Sequence, residues 1–164
     1  IREVLQISDD IPEGDTPFNP DAFLASGLEI SDARRNLESG GIEALSAFGI
    51  DVRHLLRQVG NRVGQELSFS LRNIDGNIEF LSEMMDWWEY AGLGQLSYDI
   101  DPQFHILVDH PSVKPGSLPI QSLDDGIIEG ALLSRYSDDP TVEITRTTIE
   151  NSENSVKYEI NFNS

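Results

Sequence analysis

The stretch that decides the fold is residues 122–162, SLDDGIIEGALLSRYSDDPTVEITRTTIENSENSVKYEINF. In its first part, apolar residues recur at the three- and four-residue steps of one helix face: Leu123, Ile127, Ala131 and Leu132. Its last part contains two segments, 142–148 and 156–162, in which apolar and polar residues alternate as they do in half-buried strands. The stretch therefore predicts a helix that ends near Tyr136, followed by a hairpin of two antiparallel strands.

The start of this helix carries a concentration of polar residues. Ser122 is placed to cap the helix, and Asp125 lies three residues later, in the position of a capping box. Asp124 and Glu129 also fall in the first turns, where negative charge complements the helix dipole. We therefore expect structural roles for these carboxylates and assign none of them as a general acid.

The residues upstream predict another strand pair and two further helices. Two alternating segments lie within residues 96–108, and residues 101–103 form the turn between them. Helical periodicity covers residues 31–72, with an interruption at Gly40-Gly41, and then residues 74–90.

These elements predict an α+β fold in the order α-α-β-β-α-β-β, in which helices cover an antiparallel sheet of about four strands. A chain of 164 residues fits one domain, which we place at residues 31–164. Residues 1–30 are expected to form an N-terminal arm, because prolines and acidic residues crowd positions 9–20.

The charge balance is the strongest compositional signal. Asp and Glu number 29 against 11 Lys and Arg, so the formal net charge is −18. Disorder is disfavoured because 38% of the residues are hydrophobic and patterned, and direct nucleic-acid binding is disfavoured because phosphates require a cationic face. Abundant acid with scarce lysine resembles the proteins of halophilic archaea, in which concentrated salt screens the repulsion between surface charges.

The sequence offers little that points to catalysis or to a bound metal. There is no cysteine, which removes disulfides and thiolate ligands. His105, Asp109 and His110 could supply metal ligands, but their spacing matches no metal motif, and His54 is expected on a helix surface. We predict no metal, no cofactor and no catalytic residue. No apolar run is long enough for a membrane span and no leader is recognised, so we expect no membrane partner and a cytoplasmic location.

Two helices carry small residues at fourfold spacing. Gly60 and Gly64 lie inside the long helix, and Gly126 and Gly130 lie inside the helix of the opening stretch. Glycine in a helix interior costs about 0.5–1 kcal/mol relative to alanine. Close approach of another backbone would offset that cost, and a local kink is the alternative.

These glycine-spaced helices are similar to those of the 4-vinyl reductase family. The resemblance rests on VGNRVGQEL at residues 59–67 and on DGIIEGALL at residues 125–133, followed by the two closing strands. It implies an α/β fold related to the subunits of a vesicle-tethering complex, with an apolar cavity for a small hydrophobic molecule. Some members carry suspected metal-binding cysteines in the closing hairpin, and residues 149–158 contain none.

The preferred function is a non-catalytic regulatory domain that binds a small hydrophobic ligand. We expect four residues to line its cavity: Phe48, Val52, Met85 and Trp88. The alternative is a homodimeric interaction scaffold without a ligand. With either function we expect a homodimer, with Gly60, Gly64 and Trp87 at its interface. Trp87 and Trp88 differ by about 100° around a helix, so one of them is expected to face away from the core. A cavity at the four residues would favour the first function, whereas a filled core with an apolar surface patch would favour the second.

Overall fold

The computed structural model describes residues 19–100, 103–111, 117–149 and 154–162. These residues form five α-helices: α1 (Pro20–Asn36), α2 (Ile42–Ala47), α3 (Val52–Ser70), α4 (Asn77–Tyr90) and α5 (Ile120–Arg135). A π-helical turn, Leu37–Gly41, joins α1 to α2. The four described strands are β1 (Gln95–Asp99), β2 (His105–Asp109), β3 (Val142–Thr148) and β4 (Ser155–Phe162).

The strands form one antiparallel sheet in the order β1-β2-β4-β3. Val108 pairs with Leu96 on one side and with Val156 on the other, and Ile144 pairs with Ile160. The predicted α+β class and the predicted order of helices and strands are confirmed. Most of the predicted turn at 101–103 and most of the hairpin connection at 149–154 lie outside the described residues.

Among the described residues, the helices cover one face of the sheet. Ile106, Val108, Tyr158 and Ile160 are almost completely buried, and they alternate with partly exposed polar residues such as Lys157 and Glu159. The alternation of apolar and polar residues along the strands therefore reflects a sheet whose apolar face packs against the helices and whose polar face is turned toward solvent.

Helix α1 begins earlier than the periodicity indicates. Asn19 caps it, because its side-chain oxygen accepts the backbone N–H groups of Asp21 and Ala22 at 3.1 and 3.2 Å, and Pro20 occupies the first helical position. The helix crosses the expected boundary between residues 30 and 31. Phe23 and Gly27 are buried, and Gly27 packs against the backbone at the end of α4.

The predicted long helix is broken twice. The interruption at Gly40-Gly41 is confirmed, since Gly40 has a φ of 148° within the π-helical turn. A second break follows Phe48, where Gly49 adopts a φ of 77°, and Asp51 then caps α3 by accepting the backbone N–H of His54 at 3.3 Å. Phe48 therefore lies in a turn rather than on the apolar stripe of a continuous helix.

Helices α3 and α5 cross at their glycines. A Cβ atom on Gly64 would overlap the carbonyl oxygen of Ile127, and one on Gly126 would lie 2.6 Å from the carbonyl oxygen of Arg57. The two backbones thus touch directly, which confirms the expected close approach. This contact offsets the free-energy cost of glycine in a helix interior.

Candidate functional site

The structure does not bring the four predicted ligand-binding residues together. Val52 and Trp88 are packed into the core, whereas Phe48 is 84% exposed in the turn before α3. Met85 borders a separate groove with Asp86, Glu89 and Gln95. The four residues thus occupy different environments, because the break at Gly49 places Phe48 in an exposed turn whereas Trp88 is completely buried.

The three residues predicted for a dimer interface lie inside the chain. Gly60 and Gly64 are buried against α5. Trp87 is completely buried, and its indole N–H donates to the Ser26 hydroxyl at 2.8 Å. None of these residues is available to a second copy in this arrangement. Both tryptophans face inward because α4 packs against α1 on one side and against the core on another. Two adjacent sides of the helix are therefore covered.

The polar residues at the start of α5 also differ from their predicted roles. The helix begins at Ile120 with Pro119 at its N-cap and no side-chain cap, so the capping box at Ser122 is wrong. Asp124 and Asp125 are 0% and 4% exposed. They are buried partners of arginines rather than solvated charges at a helix terminus.

Asp124 forms a two-pronged contact with Arg34 of α1. The guanidinium donates to the two carboxylate oxygens at 3.0 and 2.8 Å and to the carbonyl of Gly92 at 3.3 Å. Burial raises the pKa of Asp124 to about 6, against the opposing effect of the Arg34 charge. This pair ties α1 to α5 in the interior.

Asp125 is the centre of a second network. Arg57 of α3 and Arg146 of β3 donate to its Oδ2 at 3.2 and 2.7 Å, and the hydroxyl of Tyr158 donates to its Oδ1. Arg57 also pairs with Glu129. Burial alone would raise the pKa of Asp125, but the hydrogen bonds from Arg146 and Tyr158 and the two arginine charges outweigh it and lower that pKa. The carboxylate is therefore held in its charged form.

His110 lies beside this network with its imidazole almost fully buried. The residue is 7% exposed, and neither Nδ1 nor Nε2 has a hydrogen-bond partner within the described part of the chain. Burial lowers the pKa of His110; the charge of Asp125 opposes this effect, and those of Arg146 and Arg34 add to it. The imidazole is thus held neutral, so one ring nitrogen carries a proton and the other a free lone pair.

A polar pocket of about 190 Å³ opens at His110. We call it the His110 pocket, and its charged or donor-bearing lining includes Arg53, Arg57, His110, Gln121, Asp125 and Arg146. Ser122, Thr148 and Ser155 add hydroxyl groups, and Val156 is the apolar residue of the lining. The sequence alone indicated no role for these arginines, because Arg146 on β3 is far along the chain from Arg53 and Arg57 on α3.

The structure gives no support to a metal site in the ranges it describes. The His105 ring contacts the Gln103 carbonyl at 2.8 Å. Across the described residues, no group of three or more His, Asp or Glu side chains is placed to hold a metal ion.

One flank of α3 is apolar and only partly covered by the described residues. Leu55, Val59 and Val63 follow each other at steps of four and therefore share a side of the helix. Val59 is 44% exposed and the other two are half-buried. We call these three residues the α3 strip. At Val63 the strip meets a groove of about 230 Å³ between α1 and α3, which Ile30, Leu67 and Trp87 also line.

The chain has no match in the comparisons with known proteins: no protein-family model and no curated protein matches it. Among the described helices, none is both long enough and apolar enough to cross a membrane.

Proposed function

We propose that this chain is a non-catalytic protein-interaction domain that self-associates through the α3 strip. The observation that carries the proposal is the exposed apolar flank of α3, continuous at Val63 with the groove beside α1. Of the strip, Val59 is the most exposed at 44%. Association would bury it together with the groove beside α1, and two-fold dimers are the commonest closed assemblies.

The charge of α3 favours this surface over the other helices. Helix α3 carries three arginines and a single glutamate, whereas α4 carries four acidic residues and no basic one. In a chain of net charge −18, a second copy meets the least repulsion where the local charge is not negative. Association is expected to require salt, because the remaining negative charge opposes it until it is screened.

Among the described residues Phe48 is exposed in a turn while Val52 and Trp88 are buried, and this separation moves the preference from ligand binding to interaction. Membership of the 4-vinyl reductase family, a halophilic origin and a cytoplasmic location stay predictions. A regulatory role is compatible with a dimer, since partner binding at one surface and ligand binding at another can be coupled.

Light scattering of the purified chain in molar potassium chloride tests the proposal. We expect a dimer for the wild type and a monomer for Val59→Glu, because a buried unpaired carboxylate would oppose the contact. Gln58→Glu is the matched control: it adds the same charge at the neighbouring exposed position and should leave the dimer intact. A monomeric wild type, or a Val59→Glu variant that is still dimeric, would overturn the proposal.

A further inference from the structure

The polar groups around His110 are arranged as a binding site that the interaction function does not use. A buried imidazole normally has a hydrogen-bond partner, and one without any calls for an unseen partner such as a bound ion, water or ligand. Both ring nitrogens of His110 lack a partner among the described residues, and His110 lines an open pocket. His110 therefore forms part of the pocket wall, although neither of its ring nitrogens is itself exposed to solvent.

The pocket collects positive charge in a strongly acidic chain. Three of the nine arginines, Arg53, Arg57 and Arg146, line it, and among the described residues Asp125 is the one carboxylate of the lining. Arg57 and Arg146 already donate to Asp125, and Tyr158 donates to it as well. Arg57 also pairs with Glu129 just outside the lining. Asp125 and Glu129 thus balance Arg57 and Arg146, and Arg53 supplies the positive charge that is left over in the described lining.

Arg53 has a different position from the other two arginines. It is exposed in the first turn of α3 and forms no ion pair or hydrogen bond with any residue in the described ranges. Arg57 follows it by four residues on the same side of the helix. The Arg53 guanidinium therefore lies at the rim of the His110 pocket, free to bind a ligand.

We propose that the His110 pocket binds a small oxyanion, the phosphate or carboxylate group of a metabolite-sized ligand. The planar donor fork of arginine matches both groups, and the hydroxyls of Ser122 and Thr148 in the lining supply further donors beside the His110 ring. A volume of about 190 Å³ admits such a group but not a nucleotide. The lining is polar apart from Val156, so it does not suit the hydrophobic ligand that the family resemblance implies.

Proton NMR of the three histidine rings tests this site directly. The wild-type protein, in constant potassium chloride, is titrated separately with inorganic phosphate, sulfate and acetate. We expect the His110 ring signals, assigned with His110→Gln, to move and saturate, while those of His54 and His105 stay in place. Saturation with phosphate and sulfate alone would point to a phosphate group, and saturation with acetate as well would point to a carboxylate.

A pair of arginine variants provides the specificity control. Arg53→Gln should weaken oxyanion binding roughly tenfold or more, since a charge-assisted hydrogen bond is lost. Arg62→Gln removes an equal charge from the same helix at a residue whose ion pair is with Glu66, and it should leave the affinity unchanged. The proposal fails if no oxyanion moves the His110 signals, if added chloride alone reproduces the shifts, or if both variants bind alike. A monomeric wild type with intact oxyanion binding would overturn only the interaction function.

Discussion

The buried imidazole of His110 links proton binding to stability. Burial lowers the pKa of His110 in the folded chain. At pH values between this lowered pKa and the ordinary pKa of histidine, the unfolded chain binds a proton at His110 and the folded chain does not. The stability that His110 contributes is therefore fully present above the unfolded pKa of about 6.5 and is lost as pH falls through the folded pKa.

We predict that, as pH falls from 7 to 5, the free energy of unfolding decreases more for the wild type than for His110→Gln. The reason is that glutamine cannot titrate, so the variant lacks this proton-linked loss. Urea unfolding at fixed salt would measure both proteins across the range. The exposed His54→Gln is the control, and an equal shift in that variant would show that burial of His110 is not the cause.

At the same scale, the ion pairs show what a sequence can and cannot predict. The neighbouring acids Asp124 and Asp125 lie at a helix start, where the dipole offers a sufficient explanation. Their true partners, Arg34, Arg57 and Arg146, are between 21 and 90 positions away in the chain. Nothing in local spacing pairs these residues, so only the folded arrangement reveals that the two carboxylates reach arginines on different elements.

At the scale of elements, periodic patterns predicted the strands and helices that bury one face, but they did not predict where a helix breaks. All four strands were predicted because alternation directly reflects the one-sided sheet. The break after Phe48 was missed because Leu45, Phe48 and Val52 keep helical spacing across it, although Gly49 and the capping Asp51 signal a turn. The start of α1 was missed although Asn19-Pro20 is a helix-start signal, because the apolar residues of α1 are not gathered into one clear stripe.

The crossing of α3 and α5 yields a prediction for Gly64. Since a Cβ atom there would overlap the carbonyl oxygen of Ile127, even Gly64→Ala must push the helices apart. We expect a loss of roughly 1–3 kcal/mol in the free energy of unfolding, and a larger loss for Gly64→Leu. Gln65→Ala, at an exposed neighbour, should stay within about 0.5 kcal/mol. A stabilised Gly64→Ala in denaturant unfolding would contradict the direct backbone contact.

At the scale of the whole molecule, the charge is distributed unevenly. The acidic residues of α4, namely Glu79, Glu83, Asp86 and Glu89, repeat at steps of three and four, and none of them forms an ion pair with a described residue. Such like-charged neighbours destabilise a helix by about 0.2–0.5 kcal/mol per pair at low salt. The basic residues instead support the interior pairs and the His110 pocket.

We therefore predict that the thermal midpoint rises steeply between low and molar potassium chloride, because the screening length shortens to about 3 Å at 1 M. A triple variant, Glu79→Gln with Asp86→Asn and Glu89→Gln, should melt at a higher temperature than the wild type in low salt and at nearly the same temperature in molar salt. Arg62→Gln makes the net charge more negative and should deepen the salt requirement. Thermal unfolding followed by circular dichroism measures all three proteins. A wild-type thermal midpoint that does not change with salt would remove the halophilic interpretation. If the triple variant still melts at a clearly higher temperature than the wild type in molar salt, its stabilisation comes from helix propensity rather than from the loss of charge.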